Sequence, residues 1–168
     1  MRKVVVTMDL SRESIREGIR QIREFKNWLQ EKTDLMLELL TNAGLQVAQM
    51  RFSAVAVIYD TGARGMNYNI EVDHRGHTWV IRALGEDICF LEFGAGVTWG
   101  YGYTGNRPRG VKDIGEYGKK HGKWRNGWWF NDGTKAHRTL GNPPANAMSG
   151  AEEIIRQRVY DVANEVFR

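Results

Sequence analysis

The chain has one cysteine in 168 residues, so no internal disulfide framework is possible. Cys89 sits in the apolar run Ile88-Cys89-Phe90-Leu91 and reads as a small buried hydrophobe, which is where free cysteines usually lie. No run approaches the ~18 apolar residues of a membrane span. The apolar part of Met1-Arg2-Lys3-Val4-Val5-Val6 is too short for a signal peptide. There is no internal repeat and no long low-complexity tract. These absences predict a chain that works without a membrane and is kept in the cytoplasm unless an assembly carries it out.

What is present fits a single domain over residues 1–168, with a real core and no need of staples. The net charge of +4 is concentrated in one place. Between Gly100 and Leu140 there are nine Lys and Arg but only Asp113, Glu116 and Asp132 on the acidic side. Such a local surplus is an argument about partners, not about fold.

Val4 to Met8 reads as a short strand, and Asp9 or Ser11 can cap the helix after it. Ser11 to about Met50 is helical by spacing: Ile15, Ile19, Ile22 and Leu29, then Leu35, Met36, Leu39, Leu40, Ala43 and Val47. Thr33 can cap a second helix, which predicts a break near Lys32. Gly44 weakens the later half without ending it. Ala54 to Tyr59, Asn67 to Val72, Thr78 to Ala83 and Ile88 to Phe93 read as strands joined by short turns. Trp128-Trp129-Phe130 is expected to rejoin them, and Ala147 to Phe167 forms a last helix whose apolar face is Ala151, Ile155, Val159, Val162 and Val166. The expected class is α+β: long N-terminal helices and a C-terminal helix packed on an antiparallel sheet of about four to five strands, with a long Gly-rich loop over residues 94–127.

No catalytic set emerges. Gly100-Tyr101-Gly102-Tyr103-Thr104-Gly105 matches a dinucleotide fingerprint in letters only. It continues into Asn106-Arg107-Pro108, which cannot open the helix that a pyrophosphate needs. His74 and His77, with Glu71 and Asp73, surround a turn where side chains splay apart instead of converging on a metal. His121 and His137 lack the carboxylates that would hold magnesium. Glu92 reads as a hydrogen-bond anchor for a turn, not as a general acid. The expectation is a protein that is not an enzyme and takes no metal and no cofactor.

The loop is different. Its Trp99, Tyr101, Tyr103, Tyr117, Trp124, Trp128 and Trp129 are interleaved with Arg107, Arg109, Lys119, Lys120, Lys123 and Arg125. Such a mixture stacks on single-stranded nucleic acid and equally anchors protein interfaces; stacking on sugar rings is a third use. One of Trp128 and Trp129 is expected in the core and the other at an interface.

Glu92-Phe93-Gly94, the aromatic cluster Gly127-Trp128-Trp129-Phe130 and the turn Thr139-Leu140-Gly141-Asn142-Pro143 occur in that order before the final helix. In this the chain resembles a family of small structural proteins from the head–tail module of tailed bacteriophages, called tail-completion, neck or minor tail proteins. Ala95 stands where that family usually has Thr or Ser, and Asn146-Ala147 where it often has an aromatic residue. The resemblance implies a non-enzymatic virion protein, a six-fold homo-oligomeric ring at the head–tail junction made in the host cytoplasm. Its partners would be other connector and tail tube proteins. It also allows non-specific contact with passing DNA, and the competing reading is a nucleic-acid-binding module built on the same loop.

Overall fold

The computed structural model describes residues 4–59, 68–85, 88–94, 128–131, 136–139 and 143–168; at 56–59, 90, 128–131 and 136–139 it describes the backbone alone. The elements are α1 (Arg12–Tyr59), β1 (Asn69–Arg75), β2 (Thr78–Leu84), α2 (Ile88–Phe93), β3 (Trp128–Asn131), β4 (Ala136–Thr139) and α3 (Ala147–Val166).

The first helix starts where a local cap allows it. Ser11 Oγ accepts the Ser14 amide N–H at 3.2 Å, and Ser14 Oγ accepts that of Asp9 at 2.9 Å. The pair satisfies donors that a helix N-terminus leaves open. Ahead of it, Val4 to Met8 forms no strand; the segment folds back so that Val6 and Met8 lie over Gly18.

The helix then runs 48 residues without a break, about 72 Å at 1.5 Å per residue. The expected stop near Lys32 does not occur. Thr33 caps nothing; its hydroxyl donates back to the Leu29 carbonyl at 2.8 Å, inside the helix. Ala54 to Tyr59, expected as a strand, are the end of the same helix. Their β-branched residues favour extended chain only weakly, and packing overrides such preferences. Here Phe52 is fully buried, and Val55 packs against the cluster that contains it.

The core lies between the second half of α1 and the antiparallel α3. At one end Phe52, Ala48, Leu91, Ala145, Ala147 and Ala151 form a buried cluster. At the other, Leu40 meets Val162 and Val166, flanked by Met36, Ile155 and Val159. Gly44 sits where the layers converge: a Cβ there would lie 2.8 Å from Ile155 Cδ1 and 2.9 Å from Ile81 Cδ1. Helix α3 ends near Trp28, whose ring meets Phe167 edge-on at 6.1 Å.

The expected four-to-five-stranded sheet is not present. Among the described residues there are two separate antiparallel hairpins, β1–β2 and β3–β4. In the first, Arg75 pairs with Thr78 around the two-residue turn Gly76-His77, and Ile70, Ile81 and Ala83 face the buried cluster. In the second, Trp128 pairs with Thr139 and Trp129 with Arg138; it does not join the first. The described residues are mostly helical. The sheet shrinks because two of its expected strands, Ala54–Tyr59 and Ile88–Phe93, are helical. A short apolar run such as the latter has no period long enough to tell a strand from a buried helical turn.

Candidate functional site

The end of α2 and the start of α3 are fastened together. Helix α2 places Leu91 inward with no exposed surface and turns Glu92 toward the start of α3. The Leu91 carbonyl accepts the Ala145 N–H at 2.8 Å, and the Glu92 carbonyl accepts that of Asn146 at 3.4 Å. The Glu92 carboxylate, 5% exposed, completes the clasp. Its Oε2 accepts the Ala147 N–H at 2.8 Å and the Met148 N–H at 3.1 Å; Oε1 is 3.2 Å from the latter.

Each residue of the Glu-aromatic-Gly motif thus has a physical task. A helix N-terminus carries unpaired N–H groups and partial positive charge, and Glu92 supplies both acceptors and the opposite charge. Asn146, the residue at the cap position, has φ 52° and makes no side-chain cap bond, so the distant carboxylate caps in its place. Phe93 is 6% exposed. Gly94 leaves α2 at φ 81°, a left-handed conformation that residues with a Cβ rarely adopt. Glu92 is a hydrogen-bond anchor, but at a helix end, not at the end of a strand.

A second fastening comes from α1. Arg51 donates from Nη1 to the Asn146 carbonyl at 2.8 Å. Its guanidinium lies against Gly150, where a Cβ would collide with it. Arg51, Asn146 and Gly150 were not legible as site residues. The available signals were slight: an arginine among the apolar positions Ala48 and Phe52, and a glycine inside a helix.

Of the expected interface residues, Trp99, Tyr101, Tyr103, Arg107, Arg109, Lys119, Lys120, Lys123, Trp124 and Arg125 lie outside the described residues, as do Gly127 and Gly141. Trp128 and Trp129 occupy neighbouring positions of β3. Their side chains, and with them the expectation that one is in the core and the other at an interface, lie outside the described residues. The fold therefore brings together Glu92-Phe93-Gly94 and the chain just after Pro143.

The histidines of the first hairpin are engaged separately. His74 stacks on Trp79 at 4.0 Å and donates from Nε2 to the Gly76 carbonyl at 2.7 Å. His77 Nδ1 lies 3.2 Å from Asp34 on α1. Asp73 pairs with Arg82 at 2.7 Å and with Arg75 at 3.1 Å. Among the described residues no three His, Cys, Asp or Glu side chains converge as metal ligands, and no helix is long and apolar enough to cross a membrane. Cys89 is half-buried on α2.

No family model, curated protein or solved structure matches this chain.

Proposed function

We propose that this chain is a structural, non-enzymatic subunit of a tailed-phage or prophage particle, assembling with copies of itself into a ring at the head–tail junction. The observation that carries the reading is the clasp. Two motifs of the phage resemblance, Glu92-Phe93-Gly94 and the turn ending at Pro143, are far apart in sequence. The first caps the N-terminus of α3, the helix that begins a few residues after the second. The best-buried carboxylate among the described residues is spent on capping the helix that follows residues 95–142. That use suits a segment presented to a neighbour from a rigid helical support, with aromatic and arginine anchors for an interface.

The nine basic residues between Gly100 and Leu140 serve assembly and the electrostatics of a DNA-bearing lumen. Phosphate contacts of that kind position a protein without reading sequence. The competing reading, a nucleic-acid-binding module, draws on the same surplus. Two measurements separate them. The first is locating the chain in purified particles by electron microscopy. The second replaces Arg107, Arg109, Lys119 and Lys120 by Gln in a phage that depends on the protein. The structural reading expects a folded subunit, fewer joined particles and a position at the head–tail junction. Normal yields of joined, infectious particles from the quadruple variant would remove the basic segment's role. A chain absent from particles that binds short DNA in a salt-dependent way would replace the structural reading with the second.

A further inference from the structure

The long helix carries two apolar patches with opposite charge at their margins, on different sides and at different heights. The first continues the stripe on which α3 packs. Ile15, Ile22, Leu29 and Met36 follow one another at seven-residue spacing. That period keeps a seam facing a helical neighbour. Helix α3 covers the stripe from Arg51 back to Trp28 and ends there. Beyond that point the stripe is bare: Ile15, Ile19 and Ile22 remain 41%, 43% and 52% exposed even with Val6 and Met8 lying over Gly18. Arg12, Arg16 and Arg23 line one margin of it, and Lys26 lies on the line of the stripe itself, between Ile22 and Leu29. All four are exposed, and none has an ion pair among the described residues.

The acidic side chains of this half of the helix are on its back. There Arg20 already binds Glu17 and Glu24, each at 2.6 Å. The bare stripe is therefore apolar with an uncompensated basic edge. Two copies of it packed antiparallel would bring those basic edges together, which costs free energy.

The second patch lies farther along the helix. Leu35 follows Ile22 by roughly three and a half turns at 3.6 residues per turn, and so points to the other side. Leu35 and Leu39 are 41% and 38% exposed. Glu31 and Glu38 border them, exposed and likewise without an ion pair among the described residues.

We propose that the N-terminal half of α1 in one copy packs its Ile15–Ile19–Ile22 stripe on the Leu35–Leu39 patch of a second copy, with Arg16 and Arg23 meeting Glu31 and Glu38. The occupant is a second copy because this chain itself holds the complement in both apolar character and charge. The contact joins two different surfaces, so it is heterologous and leaves one of each free on every pair. Repetition closes a ring or extends a filament, depending on the rotation between copies. The proposal deepens the ring reading above and rests on it only for the closed form.

The test uses the full chain and sedimentation over a range of concentrations, with helical content and thermal midpoint measured for each variant. The native chain should associate as concentration rises. Arg16→Glu with Arg23→Glu, and separately Glu31→Lys with Glu38→Lys, should each weaken association by about tenfold or more while the fold stays intact, since the changes are exposed. Mixing the two variants should restore it, because each then offers the charge the other now needs. A native chain that stays monomeric throughout overturns the proposal. So does an effect of the arginine changes alone, which would assign the stripe to a different partner, or a failure of mixing to restore association. Self-association through these patches by a chain missing from particles would leave this interface standing and remove the virion reading. A chain found at the head–tail junction but indifferent to both reversals would do the opposite.

Discussion

Glu92 and Ala147 are 55 residues apart in sequence and joined by a 2.8 Å hydrogen bond, carboxylate to amide. The contact makes α2 and the start of α3 one unit, closed over the fully buried Leu91. It also means that whatever acts on the segment between them acts on a support that is already tied at both ends.

Removing that carboxylate should be expensive. Glu92→Ala leaves two helix N–H groups without acceptors, and an unsatisfied buried donor costs about 1–3 kcal/mol. We expect a loss of about 2–4 kcal/mol in denaturant unfolding. Glu92→Gln, which keeps one acceptor oxygen and loses the charge, should cost roughly half as much. A Glu92→Ala chain as stable as the native one would show that water caps α3 equally well.

Arg51 and Gly150 should be coupled. Gly150→Ala raises helix propensity by about 1 kcal/mol but puts a methyl where the guanidinium sits. It should destabilise the native chain by roughly 1 kcal/mol and stabilise the Arg51→Ala chain by a similar amount. A double-mutant cycle measures this coupling directly. Additive effects would mean that Arg51 moves aside freely.

Burial should sort the aliphatic and aromatic positions. Phe52→Ala, at a side chain with no exposed surface, should cost about 3–5 kcal/mol, and Leu40→Ala about 2–5 kcal/mol. Tyr160, on the outside of α3 and 80% exposed, should tolerate Ala within about ±0.5 kcal/mol. Equal effects at Phe52 and Tyr160 in urea unfolding would contradict the packing of α3 on α1.

Glu17 gives a pH prediction. Hydrogen bonds from Arg20, and then from Gln21, hold its carboxyl down to about 2 from an ordinary 4.5. A depressed carboxylate stabilises the fold above the unfolded value and loses that contribution as pH falls through the folded one. Whatever Glu17 contributes to α1 is therefore complete above about pH 4.5 and gone near pH 2. The Glu17 side chain is exposed, which lets salt screen the effect. Carboxyl chemical shifts followed by NMR should show Glu17 titrating well below the other glutamates, and closer to them in high salt. An ordinary midpoint at low salt would mean that the Arg20 contact does not persist in solution.

Helical character at both ends was legible in the sequence, because apolar residues at helical spacing on a long segment leave little choice, but not that the first helix runs unbroken past Lys32. Ile155, Val159, Val162 and Val166 form the inner face of α3 against Leu40 and Met36, as their spacing required. The first hairpin was legible too, through alternation and the turn at Gly76. Short apolar runs were not. Ala54–Tyr59 and Ile88–Phe93 carry strand-like composition over six residues each, too few for a period to decide. Their states were settled by the packing of Phe52, Val55 and Leu91 and by the acceptors that Ala145, Asn146, Ala147 and Met148 required. The same holds for the clasp. Local sequence could mark Glu92 as an anchor, but only the fold could supply donors from 55 residues away and put Arg51 over Gly150. Periodicity is a local property and was readable. Which buried polar groups meet depends on how distant elements close on one another, and the tertiary structure alone decided that.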